Sequence, residues 1–372
     1  MRLKRVVLAL VTVVLLLGSS RLEALACGGF FCTTKPIDQT AERIIFSVKK
    51  SNGTITAVVG ISYTGESSEF SWVVPVPSPP KLDVAETKSL DAFGAATNLQ
   101  FITPQDPCPR PMMAVADAPT GGGGGFLQTG QVGPYDYAII KNERTDDMIA
   151  WLRDNGYRIT KEMEPLVIQY VKEGLYFLAM KLKRGANVNE IKPVVMTYQA
   201  VHPMIPLRLT AVAAVEDMQV LVWILGETQY VPQNYAHPTI DFSRMKAGFQ
   251  PVQENGTLYT SLVSYRTEQK AMQNEYNGQA FLTEYAQPSA TLLAAPELTG
   301  DGKLDPVVAG LLQKAAYVTR LRAQMSPNQM IVDPTFIPDD TAPNVSNVVD
   351  LNKYVDTYTF WGCPEMRPTS KP

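Results

Sequence analysis

The chain has 372 residues, 45% of them apolar and 19% charged, with 33 Lys and Arg against 36 Asp and Glu. That balance suits a folded globular chain and excludes a disordered one. No block of Lys or Arg supplies the basic patch that nucleic acid requires, so no nucleic-acid partner is expected.

Arg2, Lys4 and Arg5 precede Val6 to Leu17, a run that is apolar except for Thr12. Ala24-Leu25-Ala26 then forms a small-x-small cleavage site. This order predicts a signal peptide over residues 1–26 and an exported protein located in the periplasm, at the cell surface or outside the cell. The run falls short of the ~20 residues that a membrane span needs. Cleavage makes Cys27 the mature N-terminus, the position of the lipid in bacterial lipoproteins. Ala24 and Leu25 stand in the reverse of the usual lipobox order, so plain cleavage is expected, with a lipid anchor on Cys27 as the alternative. Membrane association is expected only through such a lipid or through a partner.

Export favours oxidised, paired thiols. The four cysteines are Cys27, Cys32, Cys108 and Cys363. Three pairings are open to four cysteines. The two glycines of "CGGFFC" allow a tight turn, which favours Cys27–Cys32. Cys108–Cys363 would then pin a tail otherwise prone to fray.

After the signal, residues 27–115 read as a strand-rich part. "RIIFSVKK", "GTITAVVGISYTG" and "EFSWVVPVP" predict an antiparallel meander, with an Asn-Gly turn between the first two strands. "PVPSPPKLD" is expected to stop the sheet, and Asp83 to cap a helix from Val84 to Ala96 with Leu90 and Phe93 facing inward. Residues 116–131 form a Gly-rich loop or tether around Gly121–Gly125.

Residues 132–325 read as a central α+β part. A strand starts at Val132. Thr145 is expected to cap the helix "DDMIAWLRDN", which Gly156 stops, and a second helix runs from about Lys161 to Lys172. Strands follow at "LYFLAMKLK", "VVMTYQAV", "IPLRLTAVAAV" and "MQVLVWILG", the last two meeting in a hairpin at Glu216-Asp217. "TLYTSLVSYR" is a further candidate strand. Helices are expected over Glu268–Tyr285 and Val307–Met325. Residues 326–372 form a Pro-rich C-terminal tail. Strands and helices come in blocks, which predicts an α+β fold with largely antiparallel β-sheet, several packing helices and disulfide pinning.

"CGGFFC", "QTAERIIF", "FSWVVPVPSPP", "VGPYDYAII", "MIAWLRDNGY", "IPLRLTAV" and "YVTRLRAQMSPNQMIVDPTF" together resemble the bacterial domain of unknown function 2330 family over nearly the whole mature chain. The resemblance implies export. It carries no established activity and no catalytic residue. Some relatives have a C-terminal membrane segment, whereas this sequence ends "MRPTSKP".

The residues themselves contain no catalytic set. His202 and His237 are the two histidines, each followed by proline. Two isolated histidines make a poor zinc site. "PELTGDGKLDP" offers Glu297, Thr299, Asp301 and Asp305 as a weak calcium candidate, but Val308 occupies the place of the bidentate Glu. A plain Asp-Gly turn into the next helix explains the stretch more simply. No metal, cofactor or catalytic residue is therefore assigned. The expected function is that of an exported cell-envelope protein which binds or scaffolds an unknown protein or envelope component without catalysis. The alternatives are an extracytoplasmic hydrolase with a carboxylate or Cys centre, and a periplasmic accessory subunit of a membrane complex.

Overall fold

The computed structural model describes residues 38–64, 71–107, 131–141, 144–183, 191–246, 250–251, 258–259, 261–299 and 303–368. In chain order the strands are β1 (Asp38–Lys49), β2 (Thr54–Thr64), β3 (Ser71–Val76), β4 (Lys81–Val84), β5 (Gln100–Ile102), β6 (Gln131–Val132), β7 (Tyr135–Ile140), β8 (Tyr176–Leu182) and β9 (Val194–Gln199). They continue with β10 (Ala214–Gly226), β11 (Gln229–Pro232), β12 (Gln250–Pro251), β13 (Leu258–Tyr259), β14 (Leu282–Pro288), β15 (Tyr317–Met325), β16 (Phe336–Asp339) and β17 (Val348–Asp350). The α-helices are α1 (Thr87–Thr97), α2 (Thr145–Asp154), α3 (Glu164–Lys172), α4 (Leu207–Thr210), α5 (Ser261–Asn274), α6 (Ser289–Leu293), α7 (Pro306–Lys314) and α8 (Thr357–Phe360).

The main sheet has seven strands in the order β14-β15-β10-β1-β2-β9-β4. All its pairs are antiparallel except β1 with β10. Successive side chains of a strand point to opposite faces. Ile44 and Phe46 of β1 thus enter one core while Ile45 enters another. On the Ile45 face lie Leu90 and Phe93 of α1, Leu292 of α6, and Val308 and Leu312 of α7. Leu90 and Phe93 are fully buried, each contributing about 1.5–3 kcal/mol through removal from water. On the other face sits a second sheet, β3-β8-β7-β6. β3 is buried along its whole length and β8 along most of its own, as expected of strands covered on both sides. Tyr170 of α3 meets Phe177 of β8 edge-on. The layers therefore run helices, main sheet, second sheet, helices, an α+β architecture.

The β1–β2 hairpin forms as expected. Gly53, at φ 65°, closes its Asn-Gly turn in the left-handed region that glycine enters without cost. The meander does not continue. β3 leaves for the second sheet, and β2 pairs with β9 instead. The Pro-rich stretch does not end the main sheet either, because Lys81–Val84 forms its edge strand β4, where missing ladder donors are tolerated. Asp83 lies in that strand, and α1 begins at Thr87 with Glu86 as its N-cap. Thr145 is the first residue of α2 rather than its cap, which is Arg144.

Larger differences lie further on. "IPLRLT" is not a strand, since Leu207–Thr210 is the short helix α4. The Glu216-Asp217 hairpin is absent, and β10 runs unbroken through it. Asp217 takes φ 61°, and the β1–β10 register jumps from Gln39↔Ala214 to Ala41↔Gln219. The polar pair marks an irregularity in the ladder instead of a chain reversal. The helix expected over Glu268–Tyr285 stops at Asn274, where Asn277 and Gly278 adopt positive φ, and β14 follows. The helix expected over Val307–Met325 stops at Lys314, and Tyr317–Met325 is β15.

The tail is built into the body. β16 pairs with β11, and β17 pairs in parallel with β5. Cys363 is buried. Cys27, Cys32 and Cys108 lie outside the described residues, so the expected pairings and the pinning of the tail remain proposals. The Gly-rich stretch 116–130 also lies outside them.

Asp305 is the N-cap of α7, its Oδ1 accepting from the Val307 amide at 2.8 Å. Asp305→Ala should lower stability in urea unfolding by about 1 kcal/mol, the usual cost of a lost cap. The loss should be equal in calcium and in EGTA. A loss confined to calcium-containing buffer would restore the metal reading of Glu297, Thr299, Asp301 and Asp305.

Candidate functional site

β14 carries a register shift between Thr283 and Tyr285, so Glu284 is an extra residue with no partner of its own across from β15. Such a bulge re-aims a side chain. Here it brings the Glu284 carboxylate to two arginines of β15. Arg320 and Arg322 are two positions apart and share one face of that strand. Glu284 and Arg320 are each 1% exposed and Arg322 18% by side chain.

Arg322 Nε donates to Glu284 Oε1 at 2.7 Å, and the Tyr265 hydroxyl of α5 donates to the same oxygen at 2.9 Å. Arg320 Nε lies 2.7 Å from Oε2 as an ion pair, but without the N–H alignment of a hydrogen bond. The rest of the Arg320 guanidinium is held by the end of α1. It donates to Thr97 Oγ1 at 2.9 Å, to the Gly94 carbonyl at 3.2 Å and to Asn98 Oδ1 at 2.8 Å. A cation suits the unpaired carbonyls at a helix C-terminus. Trp223 steadies the arrangement, its indole donating to Thr97 Oγ1 at 2.9 Å while Arg320 lies over its ring.

Burial by itself would raise the Glu284 carboxyl pKa. Arg322 and Arg320, with the Tyr265 and Arg322 hydrogen bonds, outweigh it and hold the group below the ordinary carboxylate value. Burial, with Glu284 beside it, pushes the Tyr265 hydroxyl well up. Burial also draws Arg320 down from the usual guanidinium value. A guanidinium starts so high that Arg320 stays charged beside Glu284.

The cluster borders a cavity of about 130 Å³ lined by Asn98, Leu99, Tyr265, Arg266, Gln269, Glu284, Arg320 and Arg322. Arg266 and Arg322 also line an adjoining open groove of about 650 Å³. Gln269 is fully buried and its Oε1 has no hydrogen-bond partner. Its orientation is set by the next amide. Gln273 Nε2 donates to the carbonyls of Ala280 and Arg322, so Gln273 Oε1 must accept from Gln269 Nε2, which lies 3.2 Å away. The Gln269 oxygen is left as the free end.

A second charged cluster ties Arg208 of α4 to Asp333 and Glu173. Arg208 Nε donates to Asp333 Oδ2 at 2.8 Å, and its two terminal nitrogens donate to the Glu173 carboxylate at 2.8 Å each. Tyr170 donates to Asp333 Oδ1 at 3.0 Å. Each carboxylate here is tied to Arg208, and the arrangement is a clamp between α3, α4 and the tail.

The residues singled out from sequence are not brought together. His202 lines one surface groove and His237 another. Thr299 donates to the Pro296 carbonyl, Asp305 caps α7, and Asp301 lies outside the described residues. Among the described residues no three His, Cys, Asp or Glu side chains gather as metal ligands. The cluster around Glu284 was not anticipated. Its signal was present as polar residues at every second position in "YVTRLRAQM", a period of two in a stretch read as helix.

The family model for DUF2330, described as an uncharacterized protein conserved in bacteria, matches residues 22–342. The chain belongs to this family. No curated protein matches the DUF2330 chain, and no solved structure matches it. Glu284, Arg320, Arg322, Tyr265 and Gln269 all fall within the matched stretch.

Glu284→Ala should destabilise the protein by about 3–5 kcal/mol, because it leaves buried guanidinium charge unpaired. Tyr265→Phe should cost about 1.5–3 kcal/mol, the worth of a hydrogen bond to a charged group. The folded Glu284 carboxyl titrates below its unfolded value, so its contribution is present above the unfolded pKa of ~4.3 and is lost as pH falls through the folded value. Urea unfolding from pH 7 to pH 3 should show a shallower acid loss in Glu284→Ala than in wild type. Parallel acid limbs would refute the charged assignment.

Proposed function

We propose that this DUF2330 protein is an exported cell-envelope protein that binds a ligand at the Glu284 cavity and does no chemistry on it. The observation that carries this reading is the state of Glu284. Its carboxylate is gripped by two guanidiniums and a tyrosine hydroxyl. A general acid or base needs a pKa near the working pH, and this environment drives Glu284 the other way. Fixed charges beside a cavity suit recognition, because their side chains are ordered before a ligand arrives. No described helix is long and apolar enough to cross a membrane. In this reading any membrane association runs through a lipid on Cys27 or through a partner.

Export rests on the N-terminal signal features, and in this reading Cys363 is oxidised, as export favours. For its partner we favour Cys108. The Trp361 indole donates to the Pro104 carbonyl at 2.9 Å, which brings the tail beside the segment leading into Cys108. Cys27 and Cys32 then pair with each other. Non-reducing peptide mapping of the exported protein should give a Cys108–Cys363 peptide and a mature N-terminus at Cys27. A link from Cys363 to Cys27 or Cys32 would overturn the pairing, and retention of residues 1–26 would overturn the cleavage.

The binding reading is tested by native mass spectrometry of protein taken from the envelope fraction and exposed to low-molecular-weight envelope solutes. Wild type should retain a small solute, and Arg322→Gln should lose it while keeping a cooperative thermal transition. Turnover of an ester, amide or glycoside, abolished in Arg322→Gln, would favour the hydrolase instead.

A further inference from the structure

The cavity beside Glu284 has an excess of positive charge and one unmet acceptor, and these two features together define a ligand. Arg266, Arg320 and Arg322 face it against the single carboxylate of Glu284. Glu284 is already occupied by Arg322, Arg320 and Tyr265. Arg266 is exposed and makes no ion pair among the described residues, so its charge remains for an incoming anion. An anion alone would not satisfy Gln269 Oε1, which is buried, fixed as an acceptor by Gln273, and without a partner. That oxygen calls for a donor. A water molecule would supply the donor but would leave the guanidinium excess unanswered. A zwitterion would bring its own cation into a site already rich in positive charge.

We propose that the cavity binds a carboxylate bearing a hydroxyl on the neighbouring carbon, as in a small hydroxy acid or a sugar acid. The carboxylate pairs with Arg266 and Arg322, and the hydroxyl donates to Gln269 Oε1. A larger ligand extends from the cavity along the groove that Arg266 and Arg322 also line. This proposal rests on the reading of the protein as a binder and adds the ligand class.

The test is isothermal titration of the full mature protein with four probes: glycolate, gluconate, acetate and inorganic sulfate. Glycolate should bind more tightly than acetate by about tenfold, the worth of one further hydrogen bond at its upper range. Gluconate binding more tightly than glycolate assigns the site to sugar acids, and the reverse order assigns it to small hydroxy acids. Arg266→Gln removes an exposed, unpaired side chain and should weaken every acid probe by about tenfold or more, as expected for a charge-assisted contact. Gln269→Leu should bring glycolate down to the affinity of acetate. If that variant does not fold, Gln269→Glu gives the second reading, since a carboxylate there should repel every acid probe. Equal affinities for glycolate and acetate in wild type would overturn the hydroxyl contact. Sulfate binding without glycolate or gluconate would overturn the ligand class while leaving a binding site in place. No heat with any probe, together with no solute retained in native mass spectrometry, would overturn both the class and the binding reading.

Discussion

The burial of Glu284 with Arg320 and Arg322 is the constraint around which the rest of the site is arranged. Taking a charge out of water costs several kcal/mol per ion, and mutual attraction offsets this only with good geometry and further hydrogen bonds. The fold supplies both. The bulge in β14 places the carboxylate, β15 sets two guanidiniums two residues apart, and the C-terminal end of α1 gives Arg320 its remaining acceptors. α5 contributes Tyr265. Four elements from three separate stretches of the sequence meet at one group, so an error in any of them leaves an unpaired charge in the interior. Well-packed apolar side chains of equal volume are often as stabilising as a buried ion pair or more so. Charges kept beside a cavity are therefore poorly explained by stability alone, and that is the argument for a site.

Much of the scaffold was legible in the sequence, and the reasons are local. The Asn52-Gly53 turn fixed the first hairpin because few dipeptides accept its left-handed conformation. Leu90 and Phe93 stood at helical spacing and are buried. β8 and β9 are short apolar runs with β-branched or aromatic residues. The membership of these strands in two different sheets was not legible, because an apolar run does not name its neighbour. The site was hidden for a related reason. "YVTRLRAQM" places arginines on the face that meets Trp223 and Leu221 of β10, where a period-based reading expects apolar residues. The helical spacing of α7 runs on into it, so the periodicity points to helix there. Likewise the helical spacing before β14 runs on into it, although Asn277 and Gly278 break the helix in the structure. Buried ion pairs defeat hydrophobic patterning at the positions where function is most often found.

The tail has more to do with the site than its proline content suggests. Asn347 donates to the carbonyls of Ala96 and Asn98 at 3.3 and 3.0 Å. β17 then pairs with β5, directly after Asn98 and Leu99. These contacts fix the turn from which Asn98 accepts the Arg320 guanidinium and lines the cavity. Val349, Leu351 and Phe360 pack with Tyr265 in one apolar cluster, so the tail also backs the hydroxyl that reaches Glu284. Loosening the tail would free Asn98 and Tyr265 together, and both act on the same ion pair. Its apolar contacts thus translate into charge placement within the cavity. The tail is a wall of the site, and its packing helps set the position of the Glu284 ion pair.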